Sequence, residues 1–380
     1  MDYHATTPVD PRVFDAMYPY FSQEFGNASS IDHIFGARAH EAVEMAREQV
    51  ASCINAKPEE IIFTSGATES DNIALLGVAE RMARRGDHII TCATEHKAVL
   101  DTANHLERIG KTVTYLPVDR YGLVNPDEVE EAITDRTILI SVMAANNEIG
   151  TLAPLKEIGI VAKANGVLFH TDAAQAVGHI PLDVKEMGID LLSLSGHKVY
   201  GPKGIGALYI GGANPKRKVS PVMFGGGHER GLRSGTYNVP GIVGLGKALE
   251  IAQKEMKVEN GRFRKWTKQM FESFKDEIEG VTLNGHPEKR LAHNLNVCFP
   301  GIEGKALTHL LRTDVAISTG SACTTSSVEP SHVLKAIGLD ESNIFSAVRF
   351  GLGRFNTEEE IEHCINMVIS CSKTLRRFSD

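Results

Sequence analysis

The sequence predicts an α/β protein with a smaller α+β unit at its C-terminal end. Three observations carry this. Seven short β-rich runs alternate with longer helical patterns over the first part of the chain, the signature of a mostly parallel or mixed sheet. Several of those runs are nearly all apolar, as strands buried on both faces are. After about residue 240 the texture changes to long helices and short scattered strands. With 380 residues the chain is longer than a single core usually grows, so two domains are expected.

The strand runs are EEIIFT (59–64), DHIITC (87–92), TVTYLPV (112–118), TILISVMA (137–144), VLFHTDA (167–173), DLLSLSG (190–196) and GIGALYI (204–210). Helical patterns fall between them at 71–85, 98–109, 125–133 and 156–165. Ligands of such sheets bind beyond the carboxyl ends of the strands. Further on, KALEIAQKEM (247–256) reads as helix. Phe263, Trp266, Met270, Phe274 and Ile278 then recur at three- and four-residue steps, one helix face. ENG (259–261) is expected to kink or break that helix. TLNG (282–285), NLNVCF (294–299) and DVAIST (314–319) alternate with helices at 304–311 and 357–375. The smaller domain is therefore expected from about residue 250 to the end.

Composition excludes several classes. Hydrophobic content is 42% and charged content 23%, ordinary for a globular protein. A net charge of −8 argues against non-specific nucleic-acid binding, which needs a basic surface. No run of about 18 apolar residues exists, so no membrane span is expected. MDYHATTPVDP has no basic segment followed by an apolar run, so no secretory leader is expected. The six cysteines form no CxxC pair, which leaves zinc and disulfide-scaffold readings weak and favours a reducing cytoplasm.

Three motifs carry chemistry. FTSGATESDN (63–72) follows a strand. Gly66 permits an unusual backbone angle, Thr68 is placed to cap the helix, and the free N–H groups there suit a phosphate. Alone, it equally describes a plain strand–turn–helix cap. VLFHTDAAQ puts Asp172 just past a buried strand, where a carboxylate needs a partner such as a protonated ring nitrogen; a helix N-cap is the other reading. LLSLSGHKVYGPKG (191–204) puts Lys198 directly after an apolar strand. A desolvated lysine there is a nucleophile toward carbonyls, against the ordinary reading of a surface lysine, which Lys203 fits. Together, a phosphate cup, an acid for a pyridinium nitrogen and an amine for a Schiff base are what pyridoxal 5'-phosphate needs. His96, in ATEHKAVL (93–100), is placed to stack on the cofactor ring or to cap a helix.

Other motifs are less decided. GGGHERGLRSGT (225–236) is a glycine-rich, anion-friendly loop or a domain connector. RFGLGRF (349–355) offers Arg349 and Arg354 as clamps for a substrate carboxylate; for Arg354 a surface ion pair is preferred. GIVGLGKA (241–248) nearly matches a nucleotide phosphate loop, but Ala248 replaces the hydroxyl residue that would bind magnesium, so a closely packed helix is expected. STGSACTTSSVEPS (318–331) holds Cys323 in a polar, glycine-bearing loop. The other five thiols fall in strand or helix patterns, so Cys323 is the one expected to face solvent.

With these residues assembled, the chain resembles the cysteine desulfurases of the NifS/IscS type. The matching stretches run the whole length: MDYHATTPVDPRV, FGNASS, FTSGATESDN, TEHKAVLD, NNEIGT, HTDAAQAVG, SGHKVYGPKGIGALY, GGGHERGLRSGT, STGSACTTSSVEPSHVL and RFGLGRF. GSAC places it with the long-loop group that hands sulfur to an iron–sulfur scaffold. Ala28 stands where proline is common and Ala144 where some relatives carry histidine. The chain is also expected to start just inside the family's usual N-terminal strand.

The resemblance implies a pyridoxal-phosphate transferase of fold type I. Its large domain would span 15–250 with a seven-stranded sheet, and 1–14 with 251–380 would form the small domain carrying the cysteine loop. It implies a cytoplasmic homodimer that converts L-cysteine to L-alanine. Lys198 would hold the cofactor as a Schiff base and Asp172 would pair with the pyridine nitrogen. Gln175 and Asn146 would lie near the phenolic oxygen, with His96 on the ring. Ala67, Thr68, Ser195 and His197, with Thr236 from the other subunit, would bind the phosphate. Arg349, helped by Asn146, would hold the substrate carboxylate, and Cys323 would take the sulfur. No resident metal is implied, beyond transient iron–sulfur contact at Cys323. Selenocysteine lyase and other class-V enzymes share the machinery, and a non-catalytic assembly scaffold is the alternative from another class.

Overall fold

The computed structural model describes residues 1–377 except 213, 215, 217 and 320–329. The expected Cys323 position therefore lies outside the described residues.

In chain order the elements are α1 (Pro11–Met17), α2 (Pro19–Ser22), α3 (Ile34–Cys53), β1 (Ile61–Thr64), α4 (Ala67–Arg81), β2 (His88–Cys92), α5 (Lys97–Arg108), β3 (Thr112–Leu116), α6 (Pro126–Ala132), β4 (Thr137–Ser141), α7 (Leu155–Ala164), β5 (Leu168–Asp172), β6 (Leu191–Ser195) and β7 (Gly206–Ile210). After these come α8 (Val239–Glu277), β8 (Thr282–Leu283), β9 (Asn294–Cys298), α9 (Gly304–Leu311), β10 (Ser318–Thr319), α10 (His332–Ala336), α11 (Glu341–Ser346), β11 (Ala347–Gly351) and α12 (Glu358–Arg377).

The first sheet has seven strands in the order β1-β7-β6-β5-β4-β2-β3. β7 runs antiparallel to both of its neighbours, and β6, β5, β4, β2 and β3 are mutually parallel. β2, β4, β6 and β7 are buried at every position, which is why each carries apolar residues on both faces. A second, antiparallel sheet has the order β10-β11-β9-β8.

Apolar cores lie on both faces of the first sheet and on the second sheet, and two of them share α8. The first gathers Ile61, Phe169, Leu192 and Leu194 with Leu245 and Leu249 of α8. The second gathers Phe263, Trp266, Met270 and Phe274 with Val297, Val348 and Cys364. Both take residues from α8, which runs unbroken for 39 residues. The expected break at 259–261 does not occur. Glu259 bonds Arg354, the Asn260 side chain donates to the carbonyl of His179, and Gly261 stands in open space. Tertiary partners at this stretch outweigh the helix cost of glycine, roughly 1 kcal/mol.

The expected close packing at 241–248 is seen. A Cβ on Gly246 would lie 2.8 Å from the Cα of Ala46, so α3 and α8 approach through it. The N-terminal residues cross to the second sheet, where Asp2 bridges Gly351.

Candidate active site

A cavity of about 620 Å³ opens beyond the carboxyl ends of β5 and β6. Its walls come from seven places: the start of the chain, the β1–α4 turn, the segments at the ends of β2, β4, β5 and β6, and β11 of the second sheet.

The β1–α4 turn forms an anion cup. Gly66 is the N-cap of α4, with φ 153° and ψ 179°, a region open in practice only to glycine. No side chain caps the helix, so its first N–H groups have no such partner. The expected cap by Thr68 is thus corrected: the helix begins at Ala67, and Thr68 is already inside it. Ala67 and Thr68 line the cavity, facing Ser195 and His197 from the end of β6. Burial, then the nearby Lys198 and Lys203, pushes the His197 imidazole down to about 4, so it is neutral.

Asp172 closes β5 and lines the cavity. Its Oδ1 accepts from the N–H of Ala174 at 2.9 Å, in a turn rather than at a helix start. Burial raises its pKa, while His96 and Lys198 pull it back toward ionisation. A protonated ring nitrogen is the partner such a carboxylate lacks.

His96 takes the helix cap that its sequence allowed and lines the cavity as well. Its Nδ1 accepts from the N–H of Ala98 at 3.1 Å, capping α5.

Lys198 ends the short turn Gly196–Lys198 after β6. Its Nζ donates to the carbonyls of His4 at 2.5 Å and Ala5 at 3.0 Å. The loop that follows is held by the chain's own start. Thr7 N–H donates to the carbonyl of His197, Tyr200 N–H to Thr7 Oγ1, and Asp10 N–H to the carbonyl of Tyr200. Tyr200 there takes φ 63°, a strained value for a tyrosine.

Gln175 lines the cavity with both ends engaged: its Oε1 faces His4 Nδ1 at 3.1 Å, and its Nε2 donates to the His4 carbonyl at 3.0 Å. His4 was invisible to sequence reasoning, since MDYHATT carries no periodicity or spacing that marks it. Its ring stacks on His293, which stacks on His179, with centroids 4.5 and 4.2 Å apart. Burial is the main cause that lowers the pKa of all three.

The structure corrects the two asparagines. Asn146 is buried and turned inward. Its Nδ2 donates to the carbonyl of Thr94, and its Oδ1 accepts from the N–H groups of Glu148 and Ile149. Asn147, the next residue, lines the cavity instead. In a tight turn, adjacent side chains leave in different directions, and the sequence NN does not say which faces in.

Arg349, on β11, is buried and reaches into the cavity. Its Nη1 donates to the carbonyl of Asn147 at 2.8 Å and its Nη2 to Asp2 at 3.1 Å, while Nε is buried with no partner among the described residues. Arg354 is also buried rather than in a surface ion pair. It bonds Glu259 at 2.6 Å and Asp10 at 2.8 Å, away from the cavity.

Both ends of the 318–331 segment reach this site. Ser318 pairs with Arg349 across β10 and β11. Ser331 Oγ donates to Glu148 at 2.6 Å, and burial pushes that carboxyl up to about 7. The five described thiols are buried or half-buried, and burial raises each; those of Cys92 and Cys364 reach about 12. Thr236 is exposed and does not line this chain's cavity.

The residues present fit pyridoxal phosphate: an uncapped helix end for its phosphate, a buried carboxylate for its ring nitrogen and an amine for its aldehyde. The comparisons agree. The pattern of the aminotransferase class-V family matches residues 1–364. The chain is 52% identical over 379 residues to the cysteine desulfurase IscS of Anaeromyxobacter dehalogenans strain 2CP-C, covering all of this chain and 93% of that protein. It superposes on the structure of a NifS-like protein with a TM-score of 0.90 at 38% identity, covering 97% of each. On the structure of SspA in complex with cysteine the TM-score is 0.81 at 41% identity, covering 93% of this chain and 99% of that one.

Proposed function

The chain belongs to the class-V aminotransferase family, and from that premise we propose that it is a pyridoxal-phosphate-dependent cysteine desulfurase. The observation that carries the reading is one cavity holding Lys198, Asp172, His96, Gln175 and Arg349, beside an uncapped helix end. When bound, the cofactor supplies a sink for the electron pair released at the substrate's Cα.

The chain's residues do the rest. Lys198 Nζ would hold the cofactor through its aldehyde carbon and would carry the substrate's Cα proton. Asp172 would hold a negative charge against the ring nitrogen, and His96 would cover the ring face. Arg349, with its buried Nε open, takes the substrate carboxylate beside Asn147. Cys323 is the sulfur acceptor. Its thiolate attacks the substrate sulfur, an S–S bond forms and the C–S bond breaks. The electron pair left on carbon takes up a proton, and alanine leaves. The raised pKa of the other five thiols supports this assignment, because the thiolate is the nucleophile.

The enzyme works as a homodimer, a reading supported by exposed apolar side chains clustered near the N-terminus, among them Phe14, Phe21, Phe25 and Phe35. It supplies sulfur to an iron–sulfur scaffold in the cytoplasm. Among the described residues no helix is long and apolar enough to cross a membrane.

The test is spectroscopic. Lys198→Ala is expected to lose the visible absorption of the bound cofactor, and an unchanged spectrum would overturn the lysine assignment. Cys323→Ser is expected to keep that absorption and lose sulfide release. Full release would overturn the acceptor assignment.

A further inference from the structure

Gln175 lines the cavity, yet both bonds of its side chain go to one residue, His4. Those bonds fix which way the amide points. A backbone carbonyl only accepts, so the atom 3.0 Å from the His4 carbonyl is the amide nitrogen of Gln175. The amide oxygen then faces His4 Nδ1 at 3.1 Å, and Nδ1 must carry a proton.

That proton is the only one the ring holds. A second would sit on Nε2, which is buried with no partner among the described residues. Burial, followed by the nearby Arg349 cation, lowers the pKa of His4 well below its usual 6.5 and keeps the ring neutral.

The ring is also held in place. His4 is 1% exposed and stacks on His293, which stacks on His179. The far end of the stack is anchored, because His179 Nε2 donates to the carbonyl of Lys198 at 3.0 Å. The main chain before His4 is clipped to β11. Tyr3 N–H donates to the carbonyl of Gly351 at 3.1 Å, and Gly351 N–H donates to that of Met1 at 3.0 Å.

The consequence falls on Gln175. Its Nε2 carries two N–H groups, and only one is used by the His4 carbonyl. The other belongs to a side chain on the cavity wall. Turned the other way, the amide would set its oxygen against the His4 carbonyl and offer the cavity an acceptor instead of a donor.

We infer that His4 is a positioning residue, whose Nδ1–H sets the Gln175 amide so that an N–H faces the phenolic oxygen of the cofactor. This rests on the reading, implied by the family resemblance, that Gln175 lies near that oxygen. His4 acts through Gln175.

Two variants separate the hydrogen bond from the packing. His4→Phe keeps a flat ring for the stack and loses the donor. His4→Asn loses the stack and keeps an N–H near the place of Nδ1. The apoprotein of each is titrated with pyridoxal phosphate and with the analogue lacking the phenolic oxygen. The ratio of the two affinities reads the contact to that oxygen apart from the rest of binding. His4→Phe is expected to lower the ratio about tenfold, and His4→Asn to hold it within about twofold of wild type. A wild-type ratio in His4→Phe overturns the inference. So does an equal fall in His4→Asn, which would show that the stack alone matters. If His4→Phe does not fold, a fall of about tenfold in His4→Asn still overturns it. Gln175→Ala is expected to lower the ratio as far as His4→Phe does. An unchanged ratio there overturns the Gln175 reading and the inference with it. A fall in Gln175→Ala with none in His4→Phe overturns the inference alone.

Discussion

Two arginines five residues apart on RFGLGRF end in opposite surroundings. Arg349 faces the cavity with its Nε unpartnered among the described residues and an ion pair to Asp2 at 3.1 Å. Arg354 lies in the seam where the N-terminal residues, α8 and β11 meet. It bonds Glu259 and Asp10, and stands 4.3 Å over the Tyr200 ring. Both are buried to a similar degree. Burial alone therefore does not separate a binding group from a structural one. What separates them is whether the donors are filled. A buried guanidinium with its donors filled welds the fold, and one with a donor to spare waits for a ligand.

The largest expected effect is on the seam. Arg354→Met leaves Glu259 buried without its cation, while Asp10 keeps its pair with Arg12. It should cost about 3–5 kcal/mol of stability, read from denaturant unfolding, while surviving enzyme keeps its KM for L-cysteine. A loss under about 1 kcal/mol would show that the seam does not depend on Arg354. Next comes the cavity. Arg349→Lys should lower kcat/KM for L-cysteine about 100-fold with stability nearly unchanged, because a point charge replaces a fork. Unfolding energetics that fall as far as in Arg354→Met would erase the contrast.

The smallest effect is one of pH. His4, His179 and His293 are stacked and kept neutral by burial, so their folded pKa values lie below 6.5. The unfolded chain then binds more protons below about pH 6.5, and stability falls as pH falls through that window. Each such histidine contributes a slope of up to about 1.4 kcal/mol per pH unit. His293→Leu should flatten the dependence below pH 6.5 by that amount, and identical slopes would show that the stack carries no linkage.

Much of the site was legible in the sequence because its chemistry sits at strand ends, where short motifs place residues reliably. Asp172 and Lys198 each follow a run of apolar residues that is a strand for no other reason than burial on both faces. Asn147 was missed by one position, because a turn's inward residue is chosen by what packs against it. Asn146 turns inward since two N–H groups and the Thr94 carbonyl are there to meet it. His4 had no local signal at all. Its role arises from residues 171 and 194 positions away.

By itself, the sequence determined the seven-stranded sheet, the anion cup after β1 and the pairing of an acid with an amine on one sheet edge. Those follow from local patterns: burial on both strand faces, glycine's backbone range, and a helix start directly after a strand. Only the tertiary structure decided that Arg349 binds and Arg354 welds. It also decided that α8 continues through its glycine, and that the chain's first residues close over Lys198. In each case the deciding partner lies far away in sequence, and a side chain's donors are filled by whatever the fold brings to them.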